Sequence, residues 1–255
     1  MDKINVLDHG FVVLRNIAGP TRRTVDVLST TYPGSRGGGV HVKSRTFDAD
    51  DVDPAQCARM SFEQMDTDRT YEQDMKLNEY LLVNEHTSPF EMIQVWVEVK
   101  VPIFVDRQMV RHRTWRRNES SGRYITLPAE WYVPEVVGGK AANRKQGQED
   151  NLPTGVQTEF RVDLDESCRR DYERYLKHLD YGVAPEHARM LLHLNHYVHW
   201  IGNVDLANLF KFLRLRTHSH AQVEARAYAE AIVELLQPHL PGLMGLFDAH
   251  YRRPE

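Results

Sequence analysis

From Ile93 to Val101 the chain alternates without a break: Ile93, Val95, Val97, Val99 and Val101 fall on one side, Gln94, Trp96, Glu98 and Lys100 on the other. A period of two marks a half-buried strand, because successive side chains of a strand point to opposite faces. Any fold for this chain must therefore contain a sheet with an apolar face to cover. Pro102 closes the strand, and its fixed φ and missing N–H suit the start of a helix, here expected over 103–112.

The cover for that face is expected to be helical. Residues 68–83 place Tyr71, Met75, Leu81 and Leu82 on one broad face, with Leu77 at its edge, Asp68 as N-cap and Asn78 as a weak point. Ala55 to Met60 is short and helix-like. Residues 156–180 carry a long helical pattern through Tyr172, Tyr175, Leu176 and Leu179, and Pro185 opens a further helix from which Arg189 projects. Asp205 is the expected N-cap of a helix over 206–215, and Ala221 to Leu236 reads as a final amphipathic helix. Residues 4–17 are rich in branched side chains and read as a first strand stopped by Gly19-Pro20; Tyr197 to Ile201 reads as another, and 123–127 as extended. Pro33-Gly34 and the glycines at 37–39 make 21–53 an elaborated loop, and the polar 128–151 with Gly138-Gly139 a second one. With no βαβ alternation, the fold class is α+β: a central, mostly antiparallel sheet covered by helices. A length of 255 residues suits one domain over 1–255, with 21–53 inserted.

Residues 111–123 hold five arginines and one histidine, with Glu119 the only acid and Trp115 the only large apolar side chain. Guanidiniums stay charged, so such a cluster implies anionic ligands, phosphate or carboxylate, gripped through paired N–H donors; a solvated basic loop is the alternative. The net charge of −4 makes the cluster local and favours a small anion over a nucleic-acid duplex. A non-catalytic phosphate- or RNA-binding module stays open, although aromatic stacking platforms in register are missing. No stretch nears the roughly 20 apolar residues of a membrane span and no signal peptide is evident, so a cytoplasmic location is expected. Cys57 and Cys168 are expected as free thiols, and the thirteen histidines come without a matching ligand set, so no metal is expected.

The order of residues says more. Arg111-His112-Arg113, seven residues, then Ser121-Gly122-Arg123-Tyr124 resembles the signature of the flavin-dependent thymidylate synthases. His86-Thr87-Ser88-Pro89-Phe90-Glu91 upstream, and Phe212-Leu213-Arg214-Leu215-Arg216 before Ser219-His220-Ala221-Gln222 downstream, are similar to blocks of the same family in the same order. The resemblance implies FAD as cofactor, dUMP as substrate, methylenetetrahydrofolate as carbon donor, NADPH as reductant, dTMP as product, and a homotetramer with sites shared between subunits. It implies flavin contacts from Ser88, Glu91, Arg111, His112, Arg113, Asp205 and Lys211. Nucleotide contacts fall on Gln108, Glu119, Ser121, Gly122, Arg123, Arg189 and Arg216, with Arg123 and Arg189 on the phosphate and Arg216 on the uracil edge. Catalytic roles fall on His86, for hydride and proton chemistry, on Ser121, as a positioning or polarising group, and on Arg216. Asp205, Ala207 and Lys211 depart from the family's residues on one helix, as do Met92 and Arg116 elsewhere. UMP is the alternative substrate, because the resemblance extends to uracil C5 methylases that act on it.

Overall fold

The computed structural model describes residues 3–24, 45–65, 69–140 and 148–252. Lys3–Val6 (β1) and Gly10–Thr24 (β2) form a hairpin, so the run expected as one strand over 4–17 is two. Leu7 turns the chain at a φ of 61°, and Asp8 fixes the turn, accepting from the His9 amide (2.9 Å), the Val133 amide (3.1 Å) and the Tyr197 hydroxyl (2.5 Å). Branched residues on both sides hide that break in the sequence. Arg45–Asp48 (β3) pairs with β2, so 21–53 is strand at both ends of residues 25–44, which lie outside the described residues.

Asp53–Arg59 (α1) has Pro54 in its first turn, and Tyr71–Val83 (α2) begins at a capping box. Thr70 is the cap in place of Asp68, which lies outside the described residues; its hydroxyl accepts from the Gln73 amide (3.3 Å) and its amide donates to the Gln73 side chain (3.1 Å). Asn78 proves to be a strut: fully buried, it donates to the Asp51 carbonyl at 2.6 Å. The amide nitrogen is thereby paired inside the core, while its buried Oδ1 has no partner among the described residues.

Gln94–Pro102 is the expected strand (β4), and Ile103–Met109 (α3) follows, ending short of His112. Arg116–Glu119 (β5) is extended where no strand was expected, while the supposedly extended 123–127 opens with a turn in which the Tyr124 amide meets the Ser121 carbonyl (2.9 Å). Gly138–Lys140 (β6) and Gln148–Asn151 (β7) pair within the expected loop. Thr154–Asp180 (α4) and the single turn Pro185–Ala188 (α5) precede Tyr197–Asp205 (β8), which runs on past Ile201. Leu206–Arg216 (α6), Val223–Leu236 (α7) and Pro241–His250 (α8) close the chain. The last was not expected, since two glycines dilute its pattern. Asp51 caps it, accepting from the amides of Gly242 (2.8 Å) and Leu243 (2.9 Å).

The main sheet runs β1-β2-β4-β8-β5, with β3 on β2, and every pair is antiparallel. Val99 faces Val12 on one side and Trp200 on the other, Val97 faces Leu14 and Gly202. Val95, Val97, Val99 and Val101 are at most 1% exposed and belong to one core with Leu209, Phe210, Leu213, Tyr228, Ile232 and Phe247 of the three last helices. Burying each valine contributes roughly 1.5–3 kcal/mol, so this one face anchors the α6–α8 layer. α4 braces the loop after β5. Tyr172 donates to the Leu127 carbonyl (2.9 Å), Tyr175 accepts from the Leu127 amide (3.1 Å), and Trp131 donates to Asp165 (2.8 Å).

Candidate active site

The last turn of α3, the turn after it and the end of α6 meet at Arg216. Its Nε donates to His112 Nε2 (3.3 Å), Nη1 to Gln108 Oε1 (3.2 Å) and Nη2 to the Gln108 carbonyl (3.1 Å). Three of the five guanidinium N–H groups are thereby used, and one on each terminal nitrogen stays available to a ligand. Because His112 accepts at Nε2, its proton sits on Nδ1. Burial, together with the charge of Arg216, holds the imidazole below its ordinary pKa and so keeps it neutral. Its ring meets the edge of Phe212 at 4.9 Å, and Phe212 also meets Trp115. Gln222, at the cap of α7, bonds the Gln108 side-chain nitrogen and so decides which way that amide points. The sequence offered no reason to join Gln222 to Gln108.

Arg111 and Arg113 are exposed and make no ion pair among the described residues. Further along, the Ser120 amide donates to the His199 carbonyl (2.9 Å) and the Arg123 amide to Ser121 Oγ (3.3 Å). Gly122 is buried, and a Cβ there would stand 3.0 Å from Leu127 Cδ1 and 3.5 Å from Arg189 Cδ, so Arg189 lies against the backbone of the Ser121-Gly122 turn. The Arg123 guanidinium meets Glu186 Oε2 at 2.9 Å. Glu186 was not foreseen; its place three residues before Arg189 on the same helical run was the available signal.

A second, shallow cleft opens between the end of α2 and α6, lined by Leu82, His86, Thr87, Ala207, Phe210 and Lys211. Glu91 accepts from the Thr87 hydroxyl at its edge (2.9 Å), and Ser88 is exposed in the same loop. Asp205 caps α6 through the Asn208 amide (2.9 Å) and also takes the Asn208 side chain (2.7 Å). Lys211 and Arg216 sit about 140° apart around α6 at 100° per residue. One helix thus serves two sites, Ala207 and Lys211 facing His86, and Phe212 and Arg216 facing His112. Of the expected residues, Gln108, His112 and Arg216 are joined directly, and Gly122 and Arg189 lie together; His86 and Lys211 share the other cleft.

No helix among the described residues is long and apolar enough to cross a membrane, and no group of three metal-ligating side chains occurs among them. The fold and site define a class: an α+β protein whose antiparallel sheet carries a braced cationic strip. The profile of the family described as thymidylate synthase complementing protein matches residues 44–242, and the chain belongs to that family. It is 42% identical over 254 residues to a flavin-dependent thymidylate synthase of Treponema denticola, covering 98% of this chain and 84% of the relative. A flavin-dependent thymidylate synthase of Rickettsia bellii is 33% identical over 264 residues, covering 98% and 79%. Among solved structures, the UMP/dUMP methylase PolB from Streptomyces cacaoi, bound with 5-Br dUMP, superposes with a TM-score of 0.77 at 25% identity, covering 98% of this chain and 99% of that one.

Proposed function

We propose that this protein is a flavin-dependent methyltransferase that methylates C5 of a uracil nucleotide, converting dUMP to dTMP. The observation that carries it is the Gln108–His112–Arg216 knot, which leaves two aligned guanidinium N–H groups beside a neutral imidazole. Those donors suit the carbonyl edge of uracil, whose oxygen gains negative charge when the ring becomes enolate-like and so nucleophilic at C5. Arg123 and Arg189 take the phosphate, with the Ser121-Gly122 backbone close beside it, and Gln108 and Glu119 complete the nucleotide contacts. Ser121 positions or polarises, and His86 carries proton transfer and borders the hydride chemistry.

The donor set fits FAD: Arg111 and Arg113 offer cations that pair with no acid among the described residues, His112 an Nδ1–H, and Ser88, Glu91, Asp205 and Lys211 further polar contacts. When bound and reduced by NADPH, FAD supplies the hydride, and methylenetetrahydrofolate the carbon, for the new methyl group. The chain's own part is to bind, orient and polarise. The residues named for the flavin are themselves divided, His112 lying with Arg216 and Gln108 on one side of α6 and Lys211 in the other cleft, which supports a homotetramer whose sites are shared between subunits. Tyr124 (84% exposed) and Met190 (76%) beside the arginine strip would be covered by such contacts. We take 1–255 as one domain with 21–53 as an insertion, acting in the cytoplasm on free nucleotides and not on nucleic acid. UMP is the second reading, favoured by the likeness to a protein described as a UMP/dUMP methylase.

Purified protein is expected to be yellow, or to become so with FAD, and to form methylated product from dUMP faster than from UMP. Protein that stays colourless with FAD and leaves both nucleotides unchanged with all co-substrates present would end this proposal; faster turnover of UMP would select the second reading.

A further inference from the structure

Arg117 has no part in the assignments above, yet it is held from three directions. On β5 it points to the same side as Glu119, two residues on, and its Nη2 lies 3.2 Å from Glu119 Oε2. The same nitrogen lies 2.8 Å from Asp106 Oδ1, and the guanidinium lies over the Trp200 ring at 4.1 Å. Asp106 is 8% exposed and also accepts from Trp200 Nε1 (2.9 Å), so carboxylate, indole and guanidinium lock one another. The Arg117 side chain is only 14% exposed, whereas Glu119, at 42%, reaches solvent. This arrangement fixes the cation and leaves the acid at the surface.

We propose that Arg117, anchored by Asp106 and Trp200, is a positioning residue that holds Glu119 as an ionised acceptor for an N–H or hydroxyl donor of the nucleotide. The inference rests on the proposed nucleotide contact of Glu119. Its chemistry is simple: an ionised carboxyl offers two charged acceptor oxygens, whereas a protonated one keeps a single neutral acceptor and turns the other oxygen into a donor, which weakens the contact to an N–H or hydroxyl donor. Burial raises the Glu119 pKa, the negative Asp106 raises it further, and Arg117 opposes both. The remaining charged groups around Glu119 are Arg15, Glu98 and His199, which line the same cleft across β8. Without Arg117, Glu119 faces Asp106 with nothing between them, and the proton becomes easier to hold.

The test measures dUMP and UMP affinity of the flavin-loaded protein between about pH 6 and 8, for the natural protein, Arg117→Met and Arg117→Lys. In Arg117→Met, binding relative to that of the natural protein is expected to weaken as the pH falls, by up to about ten-fold per pH unit once the carboxyl protonates, and Arg117→Lys largely recovers the natural profile. A loss in Arg117→Met that is the same at every pH, or no loss, overturns the inference. Should Arg117→Met fail to fold because Asp106 is left buried and unpaired, Asp106→Asn is compared with the Asp106→Asn/Arg117→Met pair. The pair alone is then expected to show the pH dependence, and matching profiles overturn the inference. Failure of the natural protein to bind either nucleotide at any pH sinks the proposed function and this inference with it, a different outcome from a flat Arg117→Met profile in a protein that binds.

Discussion

Replacing Arg216 by alanine is expected to lower formation of methylated nucleotide by about two to three orders of magnitude, the usual cost of losing a preorganised donor aimed at developing charge. The loss falls in kcat, because two of its N–H groups are held for the moment when the uracil oxygen gains charge, and because His112 loses the partner that sets its tautomer. Arg189→Ala raises KM instead, since a phosphate is bound equally before and during the reaction. Cys57→Ala and Cys168→Ala should leave turnover within about three-fold of the natural protein. Burial, then Asp53, pushes the Cys57 thiol up to about 11, and burial raises that of Cys168, whose sulfur lies against the Asn195 amide. Neither is a thiolate at neutral pH. A cysteine variant that destroyed activity while Arg216→Ala kept it would mean that a sulfur nucleophile, and not the cationic strip, activates the ring.

Acid is expected to destabilise the fold through His196. Its ring is 2% exposed, stacks on Tyr172 at 6.4 Å, and has a buried Nε2 with no partner among the described residues. Burial, with Lys100 adding to it against the pull of Glu130, lowers its pKa to about 4. Above about pH 6.5 the imidazole is neutral both folded and unfolded, so its full contribution is present. Between about 6.5 and 4 the unfolded chain takes up a proton that the folded one refuses, and stability falls by about 3 kcal/mol across that window. Urea unfolding at several pH values for the natural protein and His196→Phe, which keeps an aromatic ring against Tyr172, checks this. The difference between the two should shrink or reverse as the pH falls; parallel curves would show that His196 is not the group responsible. Glu98, Asp165 and Asp171, held low in the fold despite the burial that raises Glu98, lose their contributions only at lower pH and should do so alike in both proteins.

Much of the site was legible because its residues lie in three short blocks, each carrying chemistry in its order. The RHR triplet and the Ser121-Gly122-Arg123 turn were found that way. What held them was not. Gln108 and Arg216 are 108 positions apart, and Trp200 and Asp106 are 94 apart. Arg117 read as one more charge in a basic run, although it is anchored against Trp200. Glu186 was not singled out, and Gln222 entered only as the last residue of a block similar to the family's.

Period and cap chemistry are local, set by the few residues that share a turn or a pleat, so the amino-acid order alone determined β4, the N-cap of α6, and the presence of a dense run of arginines. The cap of α2 was misplaced although Thr70 with Gln73 is itself a local pattern, whereas α8 was missed because its cap, Asp51, lies far back in the chain and reaches the Gly242 and Leu243 amides only in the fold. Only the packed chain decided that Asn78 is a strut, that His112 is a neutral Nδ1–H tautomer, and that α6 turns one face to His86 and another to His112. Those outcomes depend on which surfaces meet once the apolar face of the sheet is covered, and spacing along the chain carries no record of them.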